Sequence, residues 1–259
     1  MNIVYLIPYY NAYDDLLITL DSLLEEIDVL IVDDGSHIPL TARLDIHAYN
    51  FTIEVITAPH NMGIEGALNL GLQAIYPRYT HVARIDCGDV CSPKRIATQK
   101  QYFMTSPETI LVGSWARFVD DEYRPLFISE MPTDYEEIQR QMFVNNMFIH
   151  PSVMMDLQVV EELGGYPLDR KAAEDYALFY KMLPMGTCIN IAQPLIDYVV
   201  AQNSISSQKR TRQILSRIRV MLDHNCLHWR WVYGLGRSIC LLMIPRGVTT
   251  ILRKFIKVY

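Results

Sequence analysis

The sequence lacks several patterns that would assign it to a common class of protein. Its five cysteines form no C-x-x-C pair, so they give no zinc or disulfide framework and fit a reducing compartment. Neither G-x-x-x-x-G-K-[ST] nor G-x-G-x-x-G occurs, which disfavours the P-loop and dinucleotide-binding classes. No apolar run reaches the roughly 20 residues that span a bilayer, because "SICLLMIP" stops at Pro245 between flanking arginines.

The amino-terminal segment "MNIVYLIPYYN" lacks the basic residues and the small-residue cleavage site of a secretory leader. We interpret it as a buried first strand and expect the chain to remain in the cytosol. A chain of 259 residues, 50% of them apolar, has enough apolar side chains for one large domain or one domain with an appendage.

Charge is divided unevenly along the chain, whose net charge is −6. Residues 209–259 contain 11 of the 23 Lys and Arg residues and a single acid, Asp223, which gives +10. Residues 1–208 therefore carry 12 basic and 28 acidic residues, or −16. This division predicts an acidic body with a basic tail that binds anions, although a solvated basic helix would show the same composition.

Short apolar runs alternate with helical patterns in the first half of the chain. Strands are predicted at 3–7, 29–32, 52–57 and 81–85, and helices at 13–26, 65–75 and 93–104. This alternation predicts right-handed crossovers and a mostly parallel sheet with helices on both faces. Ser92 is expected to cap the third helix, and "TDYE", from Thr133, to form the capping box of another.

The second half is less regular. Strands are predicted at 110–119, 152–155 and 189–199, and a helix at 173–183. The polar stretch "QNSISSQ", residues 202–208, separates this region from the basic amphipathic pattern "KRTRQILSRIRVMLDHNCLHWRWV" and a second basic, apolar segment.

Polar motifs follow three of the predicted strands: "PYYN" the first, "DDGS" the second and "DCGD" the fourth. Ligands of open parallel sheets bind beyond the carboxyl ends of the strands, so these motifs are the first candidates for a binding site. Taken alone, "DDGS" is equally typical of a turn or a helix cap.

Seven motifs over residues 1–200 resemble, in order and approximate spacing, those of the family 2 glycosyltransferases. They are "IPYYN", "IVDDGS", "NMGIEGALNLGL", "ARIDCGD", "HPSVM", "GGY" and "AEDYALFYKML". The resemblance implies the α/β GT-A nucleotide-sugar fold, with a mostly parallel central sheet flanked by helices and, here, a helical tail. It implies a catalytic domain at 1–205, divided near 110 into nucleotide-binding and acceptor-binding halves, and a tail at 206–259.

The resemblance also implies which residues contact the nucleotide-sugar donor. A carboxylate that accepts a uracil N–H would form a charge-assisted hydrogen bond. Arg84 would lie near the donor phosphates or sugar, with a surface ion pair as the alternative. The matching donor positions are Pro8, Tyr10, Asn11, Asp33, Asp34, Asn61, Gly63, Asn69, Arg84 and Asp86.

The "DCGD" motif departs from the D-x-D-D pattern that is usual in the family. Asp86 matches the first acid and Asp89 the fourth, whereas Gly88 replaces a usual ligand of Mg²⁺ or Mn²⁺. One or two protein carboxylates suffice for such ions when phosphate oxygens and water complete the shell. The resemblance therefore still implies a Mg²⁺ or Mn²⁺ ion held by Asp86 and Asp89.

The "AAEDYALFY" motif has the chemistry of a general base. The acceptor hydroxyl must lose its proton as it attacks the anomeric carbon, and a positioned carboxylate suits that task. The resemblance makes Asp175 this base, beside Glu174, while an acidic first helical turn is the purely structural alternative. Lys94, Arg95 and His150 are candidates to offset the charge of the leaving diphosphate.

The tail interleaves Trp229, Trp231 and Tyr233 with basic residues. This pattern favours an interfacial helix on an anionic membrane, or alternatively a helix packed against the catalytic body. The acidic body makes nucleic acid an unfavourable partner.

We therefore expect an inverting glycosyltransferase, peripheral on the cytoplasmic face of the membrane, that transfers a sugar from a UDP-sugar to a lipid-linked or growing glycan of a bacterial surface polysaccharide. One alternative is a catalytically weak nucleotide- or glycan-binding protein whose metal site has degenerated at Gly88. A nucleotidyltransferase is disfavoured because "PYYNAYDD" lacks a glycine-rich loop with a basic residue.

Overall fold

The computed structural model describes residues 1–200, 210–224 and 228–243. Its strands are β1 (Ile3–Tyr9), β2 (Asp28–Asp33), β3 (Ile53–Thr57), β4 (His81–Arg84), β5 (Val90–Cys91), β6 (Thr109–Val119), β7 (Pro125–Ser129), β8 (Met154–Asp156) and β9 (Thr187–Val199). They form one nine-stranded sheet in the order β3-β2-β1-β4-β8-β6-β9-β5, with β7 paired to β6.

The two halves of the sheet differ in strand direction. Strands β3, β2, β1 and β4 are parallel, as the alternating pattern predicts. Strand β8 runs antiparallel to β4 and β6, whereas β6 and β9 are parallel. The predicted α/β fold is confirmed, although the second half is more mixed than expected because the short β5 and the exposed β7 add antiparallel pairs.

Helices cover both faces of the sheet. They are α1 (Tyr13–Ser22), α2 (Ile64–Ile75), α3 (Arg95–Thr105), α4 (Tyr135–Met142), α5 (Leu157–Glu162), α6 (Glu174–Met182), α7 (Arg210–Asp223) and α8 (Trp229–Met243). On one face α1 and α3 bury residues such as Leu16 and Ile96. On the other face α2 and α6 bury Leu68 and Phe179, so apolar stripes fix the position of each layer.

Two helix caps differ from the sequence prediction. Asp134, not Thr133, caps α4, because its carboxylate accepts the N–H of Glu137 at 3.0 Å. Helix α3 begins after Lys94 without a side-chain cap, and Ser92 contributes only its main-chain carbonyl. Both helices form where expected, with different residues at their first turns.

The helices after the polar break pack against the body. Helix α7 buries Val220 and Met221 in the core that also contains α6. The indole of Trp231 donates to the carbonyl of Met221 at 2.7 Å, and Gly234 lies so close to Phe143 that a Cβ would be 2.2 Å from its carbonyl oxygen. Within the described ranges no helix is long and apolar enough to cross a membrane. The predicted second basic segment begins after Val232, so its first residues lie in α8, and residues 244–259 lie outside the described ranges.

Candidate active site

Strands β1, β2 and β4 end at the same edge of the sheet, and the turn at residues 86–89 follows β4 there. Helix α1 holds this turn through the hydroxyl of Thr19. That hydroxyl accepts the Gly88 N–H at 2.9 Å and lies within donating distance of the carbonyl oxygens of Asp86, at 3.2 Å, and Asp89, at 2.9 Å. From the other side, Tyr123 in the β6–β7 loop donates its hydroxyl to the carbonyl of Gly88 at 2.9 Å.

Asp86 pairs with the buried Arg84. A guanidinium nitrogen of Arg84 lies 2.5 Å from Oδ1 of Asp86, and the same side chain donates to the carbonyl of Ile85. The Asp86 side chain remains 34% exposed, whereas that of Arg84 is buried, so only the carboxylate of the pair is accessible at this edge of the sheet. An ion pair with one fully buried partner fixes the direction of the carboxylate.

Asp89 is a buried carboxyl group with unused capacity. Its Oδ1 accepts the N–H of Val199 at 3.1 Å, whereas Oδ2 is buried without a hydrogen-bond partner among the described residues. Burial raises the pKa of Asp89 well above its ordinary value, and the charge of Asp86 adds to the rise. Either a proton or a nearby cation would offset the cost of burying this charge.

The donor set of the 86–89 turn suits a hard divalent cation. Carboxylate oxygens are preferred ligands of Mg²⁺ and Mn²⁺, and the unpaired Oδ2 of Asp89 is an acceptor that lacks a partner. In the part of the chain that the structure describes, no three Asp, Glu, His or Cys side chains are gathered closely enough to hold an ion. Asp86 and Asp89 thus fit as part of a shell that a diphosphate would complete.

The predicted donor residues Asp33 and Asp34 hold the loops beside the site. Asp33 is buried, and its two oxygens accept the N–H groups of Ser36 at 3.0 Å and Leu40 at 2.8 Å. The oxygens of Asp34 accept two N–H groups of the loop before α2, from Met62 at 2.7 Å and Gly63 at 3.0 Å. Both acids therefore hold the neighbouring loops in place, and each of their carboxylate oxygens is engaged by a main-chain N–H group.

The segment after β1 lies over the same edge. Asn11, with a positive φ of 51°, donates its N–H to the Ser36 hydroxyl and accepts the N–H of His37, both at 2.9 Å. Tyr10 is 45% exposed, and the carbonyl of Pro8 accepts the thiol of Cys87 at 3.4 Å. These bonds tie the loops after β1, β2 and β4 together.

Three predicted donor contacts, Asn61, Gly63 and Asn69, lie in the loop before α2 and in α2 itself. Asn61 is exposed, and Gly63 begins α2 with a φ of +82°, a conformation that favours glycine. Asn69 bonds the main chain of Tyr166 twice, accepting its N–H and donating to its carbonyl at 2.8 Å each. Asn69 therefore connects α2 to the "GGY" segment, so its amide is engaged inside the protein.

Glu174 and Asp175 form the first turn of α6. Burial raises the pKa of Glu174 to about 8, with the charge of Asp175 adding to it. Burial also raises the pKa of Asp175, whereas the positive charge of Arg217 in α7 and a 2.9 Å hydrogen bond from the Asn146 amide lower it. Glu174 is thus the more buried member of the pair, and the partly buried Asp175 is oriented by the Asn146 amide.

Two tyrosines show that this pair and the 86–89 turn are neighbours. Burial raises the pKa of Tyr166, and the charges of both Asp175 and Asp86 raise it further. Burial likewise raises the pKa of Tyr198, again with contributions from Asp86 and Asp175. Both acids therefore lie close enough to these two tyrosines for their charges to act on the same hydroxyl groups.

The three residues predicted to offset the charge of the leaving diphosphate differ in burial and in hydrogen bonding. Arg95 is fully buried and donates to the carbonyls of Arg84, at 2.7 Å, and Val153, at 3.2 Å, so its charge would act on a diphosphate from inside the protein, and its role stays a prediction. His150 shares a 2.9 Å hydrogen bond with the Tyr166 hydroxyl, and burial beside Arg84 lowers its pKa well below the usual value. It is therefore neutral, whereas Lys94 is exposed.

Sequence reasoning missed Thr19, Tyr123, Asn146 and Arg217. Thr19 reads as an ordinary helical residue, and its contacts lie about 70 positions away, so no local signal marks it. Asn146 had a weak signal, because it stands in the polar pair "NN" between the apolar runs of "MFVNNMFI".

Comparison with known proteins agrees with this geometry. The profile described as "Glycosyl transferase family 2" matches residues 5–164. The amylovoran biosynthesis glycosyltransferase AmsE of Erwinia amylovora is 26% identical over 200 residues, which cover 74% of this chain and 72% of that protein. A UDP-Gal:alpha-D-GlcNAc-diphosphoundecaprenol beta-1,3-galactosyltransferase of Escherichia coli is 25% identical over 197 residues, covering 74% and 70%.

The fold has a solved counterpart. The crystal structure of S. aureus TarS 1-349 in complex with UDP-GlcNAc superposes with a TM-score of 0.69 at 14% identity, covering 92% of this chain and 72% of that one. At this identity the likeness shows the fold, and the profile match over most of the chain shows the family. The chain therefore belongs to glycosyl transferase family 2 and is a glycosyltransferase with the GT-A fold.

Proposed function

We propose that this enzyme transfers a sugar, with inversion, from a UDP-sugar to a hydroxyl of a lipid-linked or growing glycan of a bacterial surface polysaccharide. The bound UDP-GlcNAc of the TarS structure supports the donor class. The names of the two relatives support the acceptor class. The observation that carries the proposal is that one short segment contacts both sites: the Asn146 amide bonds Asp175 at 2.9 Å, and the carbonyl of Val153, seven residues later, accepts the N–H of Arg84, the partner of Asp86, at 2.9 Å.

The reaction is a single displacement at the anomeric carbon. The acceptor oxygen forms the new bond as the bond to the diphosphate breaks on the opposite face, and the acceptor proton passes to the carboxylate of Asp175. A raised pKa makes Asp175 a stronger base than an exposed aspartate. Asn146 orients it, and Glu174, with its pKa about 8, is largely protonated at neutral pH.

The donor end is assigned to the 86–89 turn. Asp86 and Asp89 would hold a Mg²⁺ or Mn²⁺ ion, which would offset the negative charge of the diphosphate. The buried Arg84 fixes Asp86 from behind, and the loops tied by Asp33 and Asp34 enclose the nucleotide side.

The test is the Asp175→Asn variant, assayed for transfer and for donor binding. Removing a general base is expected to lower kcat about 10²- to 10⁴-fold, with UDP affinity within about twofold of wild type. Asp169→Asn, an exposed acid before α6, is the matched control and should retain activity. Equal transfer by wild type and Asp175→Asn would contradict the assignment of the base.

The alternative, a binding protein with a degenerate metal site, is favoured by one observation, the glycine at position 88. The same assay separates the two functions. UDP binding without transfer or donor hydrolysis, across UDP-sugars and with Mn²⁺ present, would support the binding protein.

We also propose that α8 attaches the enzyme to an anionic membrane surface. Its exposed side chains share one side of the helix, and Gly234 and Ser238, on the opposite side, are buried against the body. The exposed set is Trp229, Val232, Tyr233, Ile239, Cys240 and Met243. The sequence that follows, residues 244–259, has four basic residues and no acid, which complements an anionic leaflet.

Vesicle co-sedimentation tests this attachment. Wild type is expected to bind vesicles containing phosphatidylglycerol and not neutral vesicles, and Ile239→Glu to weaken binding by about tenfold. Leu24→Glu is the matched control, because Leu24 is 68% exposed in a loop of the body. Equal losses in both variants, or equal binding to neutral vesicles, would contradict the assignment.

A further inference from the structure

Gly88 is built into the 86–89 turn by its backbone. Its φ is +94°, a region that L-residues rarely adopt. Its N–H donates to the Thr19 hydroxyl at 2.9 Å and approaches the carbonyl of Asp15 at 3.1 Å. An aspartate at position 88 would strain this turn, so any third carboxylate at the turn would come from elsewhere in the fold.

The side chain of Asp15 lies in van der Waals contact with the place where a side chain at position 88 would begin. An ideal Cβ on Gly88 would be 3.6 Å from Cβ, 3.8 Å from Cγ and 4.0 Å from Oδ1 of Asp15. Asp15 stands in the first turn of α1, the helix that holds the turn through Thr19, and it is exposed to solvent. Its carboxylate is thus placed beside the turn by a rigid element.

A second observation points to a ligand at the same place. The buried Oδ2 of Asp89 has no hydrogen-bond partner among the described residues. The charges of Asp15 and Asp89 both act on the Tyr123 hydroxyl, which covers Gly88, and those of Asp86, Asp15 and Asp89 all act on Cys87 inside the turn. The turn itself therefore carries two carboxylates, one of which has an oxygen that lacks a partner, and Asp15 adds a third beside Gly88.

We propose that Asp15 supplies the carboxylate ligand that Gly88 cannot, and that with Asp86 and Asp89 it binds a divalent cation carried by the diphosphate of the donor. The proposal rests on the proposed function, because the diphosphate supplies the remaining ligands. In the described chain these three carboxylates are not close enough together to hold an ion by themselves, so the ion binds tightly only together with the nucleotide, when the exposed Asp15 side chain turns toward it.

The test measures Mn²⁺ binding directly, by the loss of the free-ion EPR signal during titration with and without saturating UDP. Wild type is expected to bind Mn²⁺ more tightly with UDP. Asp15→Asn should weaken that binding by about 10- to 100-fold, as other losses of metal-site groups do. Asp14→Asn is the matched control, because Asp14 is an exposed acid in the same turn of α1 and its replacement removes the same charge.

The outcomes are distinct. A selective loss in Asp15→Asn, with UDP affinity in chelator unchanged, supports the proposal. Equal Mn²⁺ affinities in the Asp14 and Asp15 variants overturn it, as does a wild type that binds UDP but no Mn²⁺. In that last case sugar transfer in chelator would preserve the proposed function, whereas a wild type that binds no UDP would contradict both.

Discussion

Two acidic pairs stand at the carboxyl ends of the parallel strands on either side of β1: Asp33, the last residue of β2, with Asp34, and Asp86 with Asp89 in the turn after β4. All four oxygens of the first pair accept main-chain N–H groups of the adjacent loops. In the second pair Asp86 is partly exposed, and one oxygen of Asp89 is buried without a partner. Similar acidic motifs therefore serve two purposes. The first pair holds the loops beside the site, and the second pair keeps carboxylate oxygens that can bind a ligand.

Replacing one aspartate of each pair by asparagine should have different effects on the free energy of unfolding, and this is the largest difference that we expect. Asp33→Asn replaces an acceptor with an amide donor facing the N–H of Leu40 or Ser36, and we expect it to lower the free energy of unfolding by about 1–3 kcal/mol. Asp89→Asn keeps an acceptor for Val199 and removes a carboxyl whose pKa is raised by burial, so stability at pH 8 should be unchanged or higher. Urea denaturation measures both, and a larger loss in Asp89→Asn would contradict the comparison.

A third pair, Glu174 with Asp175, extends the comparison to pH. The pKa of Glu174 is about 8 in the folded protein and about 4.3 in an unfolded chain. Its stabilising contribution is therefore complete below pH ~4 and is lost as pH rises toward 8, at up to ~1.4 kcal/mol per pH unit.

Glu174→Gln should flatten this dependence between pH 5 and 8, as followed by urea denaturation at each pH. Glu136→Gln, in the exposed first turn of α4, is the control and should leave the slope unchanged. The same slope in wild type and Glu174→Gln would mean that Glu174 titrates as an exposed acid.

The smallest expected effect concerns Asn146. Its amide hydrogen bond lowers the pKa of Asp175, so Asn146→Ala should raise that pKa and move the acidic limb of the transfer rate to higher pH. We expect a displacement of about 0.5–1 pH unit in kcat/KM measured from pH 5 to 9. An unchanged limb would show that a group other than Asp175 controls it.

The sequence predicts the parallel half of the sheet well, because its strands are short, mostly apolar runs and a polar motif follows three of the four. It predicts the second half less well: β5 has two residues and β7 is exposed, so neither has a buried pattern. Helix α5 was missed because it has only six residues.

At the site, the sequence predicts which motifs converge but not where their hydrogen bonds go. Asp33 and Asp86 occupy similar motifs in the sequence. Only the folded loops determine that both oxygens of Asp33 accept main-chain N–H groups, whereas Asp86 remains partly exposed. Asp15 carries no motif, and its place beside Gly88 depends on a contact between residues 73 positions apart.

The central claim is that the 86–89 turn and Asp175 act on one bound donor. The most direct measurement is a crystal structure with a non-hydrolysable UDP-sugar analogue and Mn²⁺. We predict the diphosphate at Asp86 and Asp89, with the Asp175 carboxylate on the face of the anomeric carbon opposite the leaving group. A donor bound away from that turn, or with its anomeric carbon shielded from Asp175 by the protein, would contradict the account.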